Sequence, residues 1–268
     1  MCDKCIEEMA RERRENAGRL DFADASVWLG RPQGFPLARE VNAGEIGPLL
    51  RHYGIRTGFI SHWHGKLLSP QDGNRALDEA LPLLPPDCGV IWTGLPLLAG
   101  ETGPLPGPGR VPARLGGVRL FPKTHGFPLA DWVVGSLCRW MVEQRLPLFI
   151  WHTELEWSAL RLLAKAFPDL TIIVESQPQK ILYHARPLFL LMGECTRVLV
   201  ETSNFVGQGC VEYVVRNFGP ERLVFGTFLP VGDPLVPMGM LLDADIDEAQ
   251  RKLAAGDNLR RLLGKVER

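Results

Sequence analysis

One unit recurs along this chain eight times: a short apolar, β-branched run, then turn residues, then in most cases an amphipathic stretch. The runs lie at Leu20–Leu29, Ile55–His62, Gly89–Thr93, Val118–Pro122, Leu148–His152, Leu170–Glu175, Val198–Ser203 and Leu223–Thr227. Runs apolar on both faces are expected of parallel strands covered on both sides. Eight such units in 268 residues, with no break in composition, predict an α/β fold of the single (β/α)8 TIM-barrel type, which needs about 250 residues. An open doubly wound sheet would want a G-x-G-x-x-G turn after its first strand, and Gly30-Arg31-Pro32-Gln33-Gly34 does not supply one. The expected organisation is a short charged N-terminal helix over residues 1–19 and a barrel over residues 20–268.

Between the runs, Ala130–Arg145 places Trp132, Val133, Leu137, Trp140 and Met141 on one helical stripe. Glu156–Phe167 does the same with Trp157, Leu160, Leu163 and Ala164. Val211–Phe218 ends at Gly219-Pro220, a helix-stop pair. Leu95–Gly117 is crowded with proline and glycine and reads as a loop, either a lid or a replacement for one helix.

A formal net charge of −1 gives no electrostatic reason to expect nucleic acid or an anionic membrane as partner. No apolar run approaches the roughly 20 residues of a membrane span. The charged N-terminus does not resemble a secretory signal, so a cytoplasmic protein is expected. Cys2 and Cys5 form a lone C-x-x-C, half of a zinc site with no second pair to complete it. Cys88, Cys138, Cys195 and Cys210 lie in apolar segments, as small hydrophobes do.

Active sites of such barrels sit at the C-terminal ends of the strands. Four of six histidines fall there: His62, His64, His125 and His152, joined by Glu154, Glu175 and Glu201. His52 and His184 fall in helical patterns and read as solvent-side residues. His62 and His64 are two apart, as are His152 and Glu154, so each pair shares a face if its strand continues that far. A carboxylate beside a histidine fixes its tautomer and suits a general base, which makes His152 and Glu154 the candidate catalytic pair. Glu154 serves equally well as a helix N-terminal carboxylate.

Several stretches, in order, resemble the amidohydrolase-related family of metal-dependent hydrolases and decarboxylases. Asp24-Ala25-Ser26-Val27-Trp28-Leu29-Gly30 is similar to an opening D-A-H-x-H-L-G. Leu146–His152 resembles the strand bearing the third histidine, and Phe167–Ile173 the F-P-D-L-x-I run before the fourth. Phe218–Thr227 is similar to F-G-x-E-R-[IL]-[LM]-F-G-[ST], and Gly256–Gly264 to the closing G-N-A-x-R-L-L-G helix. On this resemblance Ser26 and Trp28 stand where paired histidines are expected. His152 matches its histidine, Ser176 falls within one or two residues of the fourth, and Phe228 replaces the final aspartate.

The resemblance implies a barrel whose ancestral metal-dependent site is largely lost, leaving a small-molecule-binding or inactive member with no cofactor. Ser26, Trp28, His62, His64, His125, Ser176, Glu201 and Phe228 would line its mouth, with the two serines more simply read as packed. Two catalytic alternatives stay open. Zinc or another divalent first-row metal would sit on His62, His64, His125 and His152 with Glu201, or His152 would act as a metal-free base beside Glu154 or Glu201. A small-molecule ligand or a partner protein is expected, and homo-oligomers are what barrels of the resembled family commonly form.

Overall fold

In the computed structural model, residues 15, 18–98, 111–112, 114–264 and 266 are described. The N-terminal charged helix expected over 1–19, including the Cys2–Cys5 motif, falls almost wholly outside them. So does the middle of the Pro/Gly-rich segment, residues 99–110 and 113.

Eight parallel strands run in sequence order around a barrel: β1 Phe22–Leu29, β2 Ile55–His62, β3 Gly89–Thr93, β4 Leu115–Leu120, β5 Leu148–Trp151, β6 Ile172–Glu175, β7 Val198–Glu201 and β8 Leu223–Val224. Each pairs with its successor. The first and last are tied by Ala25 N–H to Phe225 O (2.9 Å), Trp28 N–H to Leu229 O (2.8 Å) and a parallel bridge between Val27 and Leu229. The helices are α1 Ala43–His52, α2 Trp63–Leu67, α3 Pro70–Ala80, α4 Asp131–Glu143, α5 Trp157–Ala166, α6 Ala185–Glu194, α7 Cys210–Phe218, α8 Leu235–Asp243, α9 Glu248–Lys252 and α10 Asn258–Leu263. Local chemistry sets their ends. Asn42 and Glu45 form a reciprocal capping box on α1. Gly219, at φ 99, closes α7 before Pro220.

Strand alternation sorts side chains into two cores. One set lies between strands and helices and includes Val27, Ile60, Val90, Ile150 and Val174. The other fills the barrel axis: Ala23, Ala25, Phe59, Ile91, Phe149, Ile173, Leu199 and Val224, covered at the N-terminal end by Leu259. Two expectations need correction. β4 begins at Leu115, inside the segment expected to be a loop, because Gly116 and Gly117 sit against the rings of Phe59 and Phe149 where no larger residue fits. Trp132, expected on the buried stripe of α4, is 83% exposed, while Val134, Leu137, Cys138 and Met141 form the buried face. At 3.6 residues per turn, position 132 falls on the side of the helix opposite that face. No helix among the described residues is long and apolar enough to cross a membrane.

The glycine at 116 gives a direct check. A Cβ there would be driven into the Phe59 ring. Gly116→Ala is expected to lower unfolding free energy by about 1–3 kcal/mol, the usual cost of overpacking, as read by urea denaturation.

Candidate functional site

Above the inner apolar layer, toward the C-terminal strand ends, the barrel carries a belt of buried polar groups. Arg119 of β4 and Glu175 of β6 form a two-pronged ion pair, Nε to Oε2 at 2.8 Å and Nη2 to Oε1 at 2.5 Å, with both side chains excluded from solvent. Arg119 Nη1 also donates to Ser61 Oγ. Gln177 Nε2 donates to Glu175 Oε1 (2.9 Å) and to Ser26 Oγ (2.6 Å), joining β6 to β1. Glu201 of β7 accepts from Ser203 N–H (2.6 Å), Ser203 Oγ (2.9 Å), Ser176 N–H (3.2 Å) and Ser176 Oγ (3.3 Å). Asp24 of β1 accepts from Thr227 N–H and Oγ1 and from Ser26 N–H. Ser26 and Ser176 are therefore fully buried members of this belt, their hydroxyls bonded to other protein groups.

Burial dominates the protonation of these carboxyls. It raises Glu175, against the opposing pull of Arg119 and Gln177. It pushes Glu201 up to about 8, with the charge of Glu175 adding to the shift and the Ser203 and Ser176 bonds resisting it. Burial also takes Asp24 to about 6 despite its bonds to Thr227 and Ser26.

Over this belt lies a layer of five rings: Trp28, Trp63, Phe121, Trp151 and Phe228, none more than 5% exposed. Trp28 is central, with centroids 4.6 Å from Trp63, 5.5 Å from Trp151, 6.3 Å from Phe121 and 6.4 Å from Phe228. Aromatic pairs of this kind add about 0.5–1.5 kcal/mol each beyond area burial. Cations bracket the layer. The Arg119 guanidinium lies 4.6 Å from the Trp28 ring, and Lys66 Nζ lies 4.9 Å from Phe121 and 5.1 Å from Trp151. Phe228 adopts φ 62, a left-handed conformation costing an ordinary side chain about 1–3 kcal/mol. Its ring is nonetheless packed at 5.5–5.7 Å from Phe35 and Trp151.

The four strand-end histidines do not converge. His62 Nδ1 accepts from His64 N–H (3.1 Å), and the two rings lie 4.4 Å apart. Burial lowers His62 to about 4. His125 Nε2 donates to Lys66 O (3.2 Å) beside Phe121. His152 is elsewhere: Trp151 takes the inward position at the end of β5, so His152, the next residue, turns outward. The histidine matched from the sequence is thus one residue out of phase with the mouth.

Glu154 does not partner His152 either. It is held by Lys66 Nζ (2.8 Å), Thr124 N–H (2.9 Å) and Thr124 Oγ1 (2.6 Å), which lower its pKa against the opposing effect of burial. The partner of His152 is His184, which its helical pattern alone would assign to the solvent side. The 3-10 turn Ile181–His184 brings the two Nδ1 atoms to 2.9 Å, while His152 Nε2 lies 2.7 Å from Gln179 O. A carbonyl only accepts, so His152 Nε2 carries the proton and its Nδ1 accepts from His184 Nδ1–H. That leaves Nε2 of half-buried His184 as the free lone pair. Burial pulls His152 down to about 4. His52 is exposed, as expected.

Sequence reasoning also passes over Arg119, Gln177 and Lys66. An arginine inside the apolar run Val118–Phe121 is the available signal, since a charge in a strand covered on both faces requires a buried partner.

No family model and no curated protein matches the chain. Solved structures share its fold. An amidohydrolase 2 from Bifidobacterium longum subsp. infantis superposes with TM-score 0.67 at 19% identity, covering 92% of this chain and 99% of that one. The 5-carboxyvanillate decarboxylase of Sphingomonas paucimobilis gives 0.67 at 13%, covering 92% and 100%. The 2,6-dihydroxybenzoate decarboxylase of Rhizobium gives 0.62 at 14%, covering 91% and 99%. The chain therefore shares the (β/α)8 barrel fold of these proteins.

The residues gathered at this mouth do not fit the divalent metal that the resemblance implies. Trp28, Trp151 and Phe228 offer no metal donor, and the oxygens of Ser26 and Ser176 are engaged in the belt. Among the described residues, no three His, Cys, Asp or Glu side chains form a group able to hold an ion. The substitute set of His62, His64, His125 and His152 is not brought together.

The belt predicts a pH dependence with a definite sign. Glu201, raised from 4.5 to about 8 in the folded state, binds its proton more tightly there than in the unfolded chain. Its contribution to stability is complete below about pH 4.5 and is lost as pH rises through 8. His62 and His152, lowered from 6.5 to about 4, act in the opposite sense only below about pH 6.5. Between pH 6.5 and 8 the protein is expected to lose about 1–2 kcal/mol in urea unfolding, and Glu201→Gln to flatten that slope.

Proposed function

We propose that this chain is a divergent amidohydrolase-related barrel that has exchanged its metal-dependent reaction chamber for a packed aromatic layer. It would act as a binding scaffold for a small molecule or a partner protein rather than as a hydrolase. The observation carrying this reading is the five-ring layer centred on Trp28, which takes the space where a substrate and an activated water would have to meet.

The chemistry supports the same reading. A bound metal lowers the pKa of water from about 15.7 to about 7. Without one the hydroxide supply falls by roughly eight orders of magnitude, of which a positioned base restores about 10²–10⁴. His152, the expected base, has both ring nitrogens committed and faces away from the mouth.

Elemental analysis of protein purified without added metal tests this directly. Substoichiometric metal is the expected result, and about one tightly bound equivalent of zinc, manganese or iron would overturn the reading. Trp28→Ala provides a second check. If the rings are a packed core, it should cost about 3–5 kcal/mol in chemical denaturation, as emptying a buried aromatic site usually does. A variant as stable as the wild type would mean the rings do not form a core.

One observation favours a second reading, metal-free acid–base chemistry. The His152–His184 contact leaves His184 Nε2 as a half-buried base, with His152 as the residue that positions it. In a screen of carboxylate and carbonyl substrates, any turnover abolished by His184→Ala and reduced by His152→Ala would support it. Turnover indifferent to both would remove it.

A further inference from the structure

Apart from the closed mouth, an opening lies at the other end of the barrel. A cleft of about 590 Å³ is cut between the N-terminal ends of β5–β8 and the last helix, α10. That volume is within the range of small-molecule sites, about 300–1,000 Å³. Its floor is apolar. Leu199 belongs to the innermost barrel layer, Leu146 precedes β5, and Leu262 comes down from α10.

The rim is cationic: Arg145, Arg197, Arg222 and Arg261 against Asp169 and Glu221. Arg197 is 3.5 Å from Asp169. Arg222, 5% exposed, donates to the main-chain carbonyls of Met192, Cys195 and Val198, and the Glu221 carboxylate lies near enough to offset part of its charge. Asn258, 3% exposed, borders the same space. Its Nδ2 donates to the Pro220 and Leu223 carbonyls, and its Oδ1 is buried with no partner.

We infer that this cleft binds a small organic anion with an apolar body, a carboxylate whose chain or ring lies on Leu146, Leu199 and Leu262 and whose head meets Arg197 and Arg261. An apolar floor supplies affinity by burial, and guanidinium forks match a carboxylate in plane and charge. A simple inorganic anion would gain only the second of these. The N-terminal face of a barrel is not where these folds place catalysis, so the site is one of binding. The inference does not depend on how the mouth is read, and metal analysis bears on the mouth alone.

Calorimetric titration of the full chain with benzoate, octanoate and inorganic phosphate tests it. Benzoate or octanoate should bind one to one and more tightly than phosphate. Arg261→Glu, at an exposed position, should weaken that binding by about tenfold or more, the loss of a charge-assisted contact. Arg261→Gln should weaken it less. Lys123→Glu carries the same charge change at the mouth end and should leave it unaltered. Absence of binding by both carboxylates at millimolar concentration would overturn the inference. So would phosphate binding as tightly as benzoate, or equal losses in Arg261→Glu and Lys123→Glu.

Discussion

The mouth of this barrel is organised around one ion pair, Arg119 with Glu175, sealed inside the cylinder. Desolvating two charges is expensive, and a pair of this kind persists only when its geometry is good and its remaining donors and acceptors are filled. Both conditions hold, through the two-pronged contact and through Ser61 and Gln177. The neighbouring groups follow from it. Glu201 lies close enough to feel the charge of Glu175 and sits in an environment that favours its neutral form. Gln177 is drawn across to Ser26, and the flat face of Trp28 covers the guanidinium.

Once Trp28 lies on Arg119, the remaining rings close around it. Trp63 arrives because β2 runs directly into α2, and Trp151 because β5 ends one residue before the chain turns. Phe228 arrives at the cost of a left-handed backbone. Lys66 then caps the layer from above, and its own charge is matched by Glu154. Polar belt, aromatic layer and cationic cap thus stack in that order at the C-terminal end of the barrel. These levels are carried on a fold shared with the solved amidohydrolase and decarboxylase barrels.

The alternation of apolar runs carries most of the fold in plain sight. β2 and β3 stand at their expected bounds, because turn residues flank them tightly. β4 starts earlier than its apolar run suggests, because two glycines that usually mark a loop are needed to admit Phe59 and Phe149. The site is less legible. Strand position points to Glu175 and Glu201, and the family resemblance to Ser26, Trp28, Ser176 and Phe228, all of which lie in the belt or the ring layer. It does not tell Trp151 from His152, since a one-residue change of phase exchanges inside for outside. Nor does it foresee that His184, far along the chain, is carried to His152 by a short turn, or that Lys66 takes Glu154.

Three of the buried rings are indoles, with centroids 4.6, 5.5 and 6.2 Å apart. Chromophores this close share their excited states, so their near-ultraviolet circular dichroism should carry a coupled signal that isolated tryptophans do not give. The guanidinium beneath Trp28 and the ammonium near Trp151 should also shift their emission. The closed end of the barrel therefore reports optically on its own packing, without label or ligand.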